Sequence, residues 1–430
     1  MKRITLIASL LTLAGAIDSA GLARVEGTSA AQPSSSAQTR AVVDAAAAFL
    51  HLLNADQRQK VQFAFTTPAL GVNAPFHRTA DGGVAPGAPK RQQSTGGGPD
   101  GPRGTGGTGP HGAPGGPGAG PGGPGRGPGG PSGGPGMGPA GGFIGERYGE
   151  AVWSNYPVSD VPRPGVRLGL LTAAQRASAM HLLHTVLSPM GYQKVLDIMG
   201  SDQALTDAGT NFASGEAVYT IGIFGEPSVN KPWMLEFGGH HLGLNIVIAG
   251  PGGVMTPTLT GAQPSVYRRG DKTIRVLAME NDTAFTLLDA LTDKQKKQAI
   301  LNYEVRDLVL GPGMAGKQIQ PEGLKGSELD TKQRTMLVNV IAQWTGIVND
   351  SYAGARMEEI KADLNDTYFA WSGPTTHAAG QNGTSYYRIQ GPRLLIEFSP
   401  QGVGGDPAMH VHTTYRDPTD DYGVKLTAGK

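Results

Sequence analysis

The stretch that decides the fold is Trp233–Gly250, "WMLEFGGHHLGLNIVIAG". Its β-branched and aromatic residues mark strand rather than helix, and Gly238–Gly239 reads as a bulge. Two adjacent histidines, His240 and His241, stand inside this apolar run. An imidazole there needs partners for its ring nitrogens. On a regular strand neighbours point to opposite faces, so His240 shares a face with Glu236 and His241 with Asn245. Only one of the pair then joins any site, unless a bulge turns both inward.

The partners suggested for this pair lie far along the chain, in "MHVHTTYRD" (Met409–Asp417). His410 and His412 are one residue apart, so on a strand both rings project from one face, about 7 Å apart at Cα. Two imidazoles so placed converge on one ion in sheet-built metal sites. The alternative is a hydrogen-bonded histidine network with Glu236 and Glu397 as acceptors. With no cysteine in 430 residues, disulfides and thiolate ligands are excluded, and a metal must be held by nitrogen or oxygen.

Around these strands the chain alternates helical and strand-like blocks. "AVYTIGIFG" (Ala217–Gly225) reads as a strand, and "SYYRIQGPRLLIEFSP" (Ser385–Pro400) as a hairpin turning at Gly391–Pro392, with the His410 segment as its neighbour. Four helices open with the same device: "LNADQR" from Leu53, "LTAAQR" from Leu171, "LTDKQK" from Leu291 and "LDTKQR" from Leu329. Asn54, Thr172, Thr292 or Asp330 caps the helix, and Gln57, Gln175, Gln295 or Gln333 reaches back, which is a capping box. The rest of these segments match poorly, so recurrent good caps explain the echo better than a repeat does. The fold class is α+β: an antiparallel or mixed sheet flanked by several capped helices, with a long disordered Gly/Pro insertion.

Composition sets the domain plan. Residues 1–23, "MKRITLIASLLTLAGAIDSAGLA", have the charged start, short apolar core and small residues of a secretory signal peptide. A Ser/Ala/Gln-rich flexible spacer follows over 24–40, and a first helical segment of the main domain over 41–79. Residues 80–142 are Gly/Pro-rich without the strict every-third glycine of collagen, and their lack of apolar side chains makes disorder the expectation. The main domain resumes at 143 and runs to 430. No later stretch is apolar enough to span a membrane. With 36 basic against 35 acidic residues, the charge balance argues against nucleic-acid binding.

Other candidates extend the site. Glu236 and Glu397, in apolar strands, are candidate catalytic carboxylates, since burial raises a carboxyl pKa toward the range of proton transfer. Tyr387, Arg388 and Arg416 are candidate substrate-binding residues for a polar or anionic small molecule or peptide; sheet packing explains them equally well. His181 and His184 fall opposite an apolar helical stripe and read as solvated. The glycines of "GIFGEPS" and "AGPGG" make no phosphate loop, because no Gly-Lys-Ser/Thr follows.

Four segments carry a resemblance: "PWMLEFGGHHLGLNIVI", "TYFAWSG", "YYRIQGPRLLIEFSPQ" and "HVHTTYRDPTDDYG" resemble the domain-of-unknown-function 3500 family over most of Phe143–Gly423. The resemblance implies one family-type unit there and no particular activity. From the residues, the expectation is an exported protein, periplasmic or extracellular. It is a metal-dependent enzyme, hydrolytic first, with His410, His412 and one or both of His240 and His241 around a divalent ion, zinc first and copper or iron next. A copper or iron oxidative enzyme and a non-catalytic metal- or ligand-binding protein are the alternatives.

Overall fold

The computed structural model describes residues 34–75, 143–210, 212–402 and 405–428. The expected signal segment and the Gly/Pro insertion lie outside these residues. Helix α1 is Ser35–Leu52, so the chain is helical from six residues before the expected Ala41. The reason is Ser34, whose hydroxyl accepts from the Ala37 amide and caps the helix. Composition alone places this Ser/Ala/Gln stretch in the spacer.

Two successive blocks build the fold. The first contains α1, α2 (Ala55–Val61), β1 (Gln62–Phe63), β2 (Val72–Pro75), β3 (Phe143–Tyr148), β4 (Ala151–Ser154) and β5 (Val166–Arg167). It continues through α3 (Ala173–Val186), α4 (Pro189–Ala208), β6 (Thr220–Phe224), β7 (Trp233–Gly239), β8 (Leu242–Ala249), β9 (Gly252–Val254) and β10 (Thr258–Ala262). A small hairpin, β11 (Val266–Arg269) and β12 (Lys272–Arg275), leads into the second block. This comprises α5 (Ala278–Asp289), α6 (Asp293–Ala299), β13 (Leu324–Lys325), α7 (Thr331–Thr345) and α8 (Asp350–Ala362). It ends with β14 (Tyr368–Ser372), β15 (Tyr386–Gly391), β16 (Leu394–Pro400), β17 (Val411–Arg416) and the short α9 (Val424–Thr427).

The large sheet has the order β1-β6-β7-β8-β10-β17-β16-β15-β14-β13, so chain order rises from each edge to the central β10–β17 pair. Within it β1 joins β6 in parallel, and the other pairs are antiparallel, so the sheet is mixed. The two blocks meet at the antiparallel pair β10–β17 and at a bridge between Leu187 and Val348. At that bridge the Ser188 amide donates to Ile347 O and the Asn349 amide to Val186 O, two bonds at equivalent positions. The capping boxes are equivalent as well: Gln175 bonds Gln57 and Leu52 O, and Gln333 bonds Gln295 and Ala290 O. The echo in the sequence is therefore an internal repeat. The helical segments diverge in sequence, while the glutamines that join two caps in each block are retained.

Alternation along the strands separates two faces. One carries Ile221, Ile223, Leu235, Phe237, Leu244, Ile246, Ile389, Ile396 and Phe398, in one core with helical residues such as Phe49, Leu182, Leu288 and Trp344. On the opposite face alternate residues are Glu236, Asn245, Glu397, Arg388, His412, Thr414 and Arg416, all buried. The β4 segment and the loop before β13 reach this polar face: Val152 N donates to Glu236, and Val309 N and Leu310 N donate to Glu397. Pro75 and Phe143, at the two ends of the undescribed stretch, are register partners in the β2–β3 pair.

Candidate metal centre

Trp233–Gly250 is a hairpin. Gly239 pairs with Leu242, so His240 and His241 form its two-residue turn, and the bulge expected at Gly238–Gly239 is absent. Those glycines serve close packing: a Cβ on Gly238 would meet Leu242 O at 2.6 Å, and one on Gly239 would meet the Tyr219 ring at 2.9 Å. His241 takes φ 62, a left-handed conformation that costs about 1 kcal/mol or more in a residue other than glycine. The turn, not strand alternation, decides where the two rings go.

His241 reaches across β10 at Gly261, where an added Cβ would lie 3.2 Å from its Cδ2. Gly261 is the register partner of His412, so the missing side chain opens the way to the histidines at the start of β17. Nε2 of His410 lies 3.0 Å from Nε2 of His241 and 2.9 Å from Nε2 of His412. All three residues are buried, and their ligand atoms lie within 4.8 Å of one another. Tetrahedral zinc with N–Zn of about 2.05 Å would set its nitrogens about 3.3 Å apart, close to this spacing. An imidazole nitrogen carries either one proton or one in-plane lone pair, so Nε2 of His410 cannot make two regular hydrogen bonds at once. A cation between the rings removes that conflict. Burial first, then His240, His410 and His412, hold the His241 pKa well below its usual value, leaving the ring neutral as a ligand must be.

Of the two adjacent histidines only His241 joins this group; His240 does not. Its Nδ1 is 2.8 Å from the buried Asp202 carboxylate on α4, and its ring stacks on His241 at 3.7 Å. It supports the ring next to it. Two further residues at the centre were not foreseen, Asn155 and Asp307. The Asn155 side-chain nitrogen lies 2.9 and 2.8 Å from the two ring nitrogens of His412. Asp307, its side chain half exposed, lies 3.6 Å from His412 Nδ1 and accepts from Gln401 at 3.0 Å. Both come from loops remote in sequence, in "WSNYP" and "VRDLV", with no periodicity or spacing that ties them to the histidines. His412, Leu308 N and Gln401 hold the Asp307 carboxyl below the usual carboxylate range against the opposing effect of burial.

The other sequence candidates are engaged elsewhere on the sheet. Glu397 accepts from Tyr386 Oη at 2.6 Å, Val309 N at 2.9 Å and Leu310 N at 2.8 Å. Glu236 accepts from Val152 N at 3.0 Å, and burial, opposed by Arg163, pushes its carboxyl well above the usual range. Tyr387 points to the helical face, stacks between Trp371 and Phe398 and donates to Glu280 O at 2.9 Å, so no substrate at the histidines can meet it. Arg388 is paired with Glu322 at 2.9 Å. Arg416 is paired with Glu146 at 2.8 Å and Asp421 at 2.8 Å. These two guanidiniums are structural cations on the buried polar face.

Fold and site together define a duplicated α+β protein with a buried three-histidine cluster competent to hold a metal ion. The family model described as a protein of unknown function (DUF3500) matches residues 146–424, and the chain belongs to that family. No curated protein and no solved structure matches it. Among the described residues no helix is long and apolar enough to cross a membrane.

Proposed function

We propose that the chain is an exported metal-dependent hydrolase in which His241, His410 and His412 hold one divalent ion, zinc first. The observation that carries the metal is the double contact of His410 Nε2, at 3.0 and 2.9 Å, with the two other Nε2 atoms. Zinc held by three imidazoles keeps a position open for water or substrate and lowers the pKa of what binds there. The chain's own contribution is orientation. Asp307 favours the His412 tautomer with its proton on Nδ1, leaving Nε2 free, in the manner of carboxylates behind metal-bound histidines. His240, fixed by Asp202, holds the face of His241. Export is supported by the first 23 residues, read as sequence.

The same three nitrogens suit copper or iron, which would make the chemistry oxidative. A specific observation also favours a non-catalytic metal-binding role: relative exposures of 1, 7 and 8 % for His241, His410 and His412 leave little room for a substrate. Elemental analysis of untagged protein identifies the ion. Assays of ester, amide and phosphoester hydrolysis by the metal-loaded protein, beside the metal-free protein, then decide the role. Metal-dependent turnover is expected of the hydrolase; no turnover in any of these classes would overturn it in favour of the binding role.

A further inference from the structure

Asn155 follows β4 and contacts two residues of the triad, His241 and His412. Its main-chain oxygen accepts from the His241 amide at 3.5 Å, and its side-chain nitrogen sits 2.9 and 2.8 Å from Nδ1 and Nε2 of His412. The two ring nitrogens direct their lone pairs apart, so one amide nitrogen is not a regular donor to both. The other end of the same carboxamide, Oδ1, is buried and accepts no hydrogen bond from the described residues. A buried amide oxygen that has lost water and gained no donor is rare, because nothing compensates the loss.

The backbone around Asn155 is fixed. The buried Arg163 guanidinium donates to Ser154 O at 2.8 Å and Tyr156 O at 2.5 Å, the residues on either side. It also donates to Gly239 O at 3.2 Å, immediately before the His240–His241 turn. One cation thus fastens the Asn155 segment to the hairpin that presents His241.

We propose that Asn155 is the fourth ligand, its Oδ1 turned onto the ion that the three imidazoles hold. The inference rests on the metal reading above and adds to it the state of the fourth position. A half-turn about the last side-chain bond, a soft two-fold torsion, exchanges oxygen for nitrogen without moving the backbone. The ion then supplies the partner that Oδ1 lacks. A neutral amide oxygen is the weakest donor in a set with three imidazoles, so it is the ligand that water or substrate displaces. The site is closed at rest and opens by exchange at Asn155.

The test uses the full chain, stripped with a chelator and titrated with cobalt(II), whose visible spectrum reports coordination number and ligand type. The wild type is expected to bind one cobalt per chain with an intense four-coordinate band. Asn155→Leu should bind at least about tenfold more weakly, the lower end of what loss of an outer-shell partner costs, with a shifted band. Asn155→Asp, isosteric and anionic, should bind about tenfold more tightly and keep the four-coordinate band; it also serves should the leucine variant not fold. Wild-type affinity and spectrum in either variant would overturn the fourth-ligand role while leaving the three-histidine site standing. Absence of cobalt uptake by the wild type would overturn both.

Discussion

At the residue scale, His241 combines a strained backbone, full burial and a ring held neutral. Its folded pKa lies below the value of about 6.5 expected in the unfolded chain. Between those two values the unfolded state binds the extra proton, so unfolding becomes easier as pH falls. The metal-free protein should therefore be at full stability above about pH 6.5 and lose stability on acidification below it. Asn tolerates the left-handed backbone, so His241→Asn should lose this part of the slope. Urea midpoints measured across pH 5–7 check it, and parallel profiles for the two proteins would refute it. His240 makes a different demand. His240→Ala removes the bond to Asp202 and should cost about 1.5–3 kcal/mol while metal stoichiometry stays unchanged. A folded His240→Ala protein without metal would make His240 a ligand after all. The period of two made the shared face of His410 and His412 legible in sequence. The fate of His240 and His241 was not, because a tight turn looks like continuous strand when both turn residues lie among apolar neighbours. Asn155 and Asp307 left no signal, since only the fold brings their loops to the triad.

At the element scale, the four capping boxes were legible because a cap and its return partner lie three residues apart. Their pairing across the structure was not, because Gln57 meets Gln175, and Gln295 meets Gln333, only once the helices are packed. Gln175 and Gln333 each close one box and bond a carbonyl at the end of a neighbouring helix, Leu52 O and Ala290 O. Gln175→Ala and Gln333→Ala should each cost about 1–2 kcal/mol. A double-mutant cycle of Gln57→Ala with Gln175→Ala should show coupling, and Gln57→Ala with Gln333→Ala should be additive. Equal coupling in both cycles would mean that the glutamines act only as local caps. The hairpin at Gly391–Pro392 was readable because its strands alternate and its turn residues are typical; Gly391 pairs with Leu394. Gly238–Gly239 misled because a glycine retained for backbone approach looks the same in sequence as one retained for a bulge.

At the scale of the whole molecule, two equivalent blocks share one sheet whose second face is buried and polar. The α+β class with a mixed sheet followed from the order of helical and strand-like segments. The duplication did not, because hydrophobic patterning constrains residue class, and two blocks can diverge in sequence while keeping it. Since Pro75 and Phe143 are register partners, a short Gly/Ser linker can replace residues 76–142. That variant should keep its thermal midpoint and its metal content, as calorimetry and elemental analysis would show; a protein that fails to fold would give the intervening residues a structural part. The most direct test of the metal account is the metal content of untagged protein beside that of the His410→Ala/His412→Ala double variant. The account predicts one divalent ion per wild-type chain and none in a double variant whose circular dichroism still shows its helices. A metal-free wild type after loading, or an unchanged content in the double variant, would contradict it.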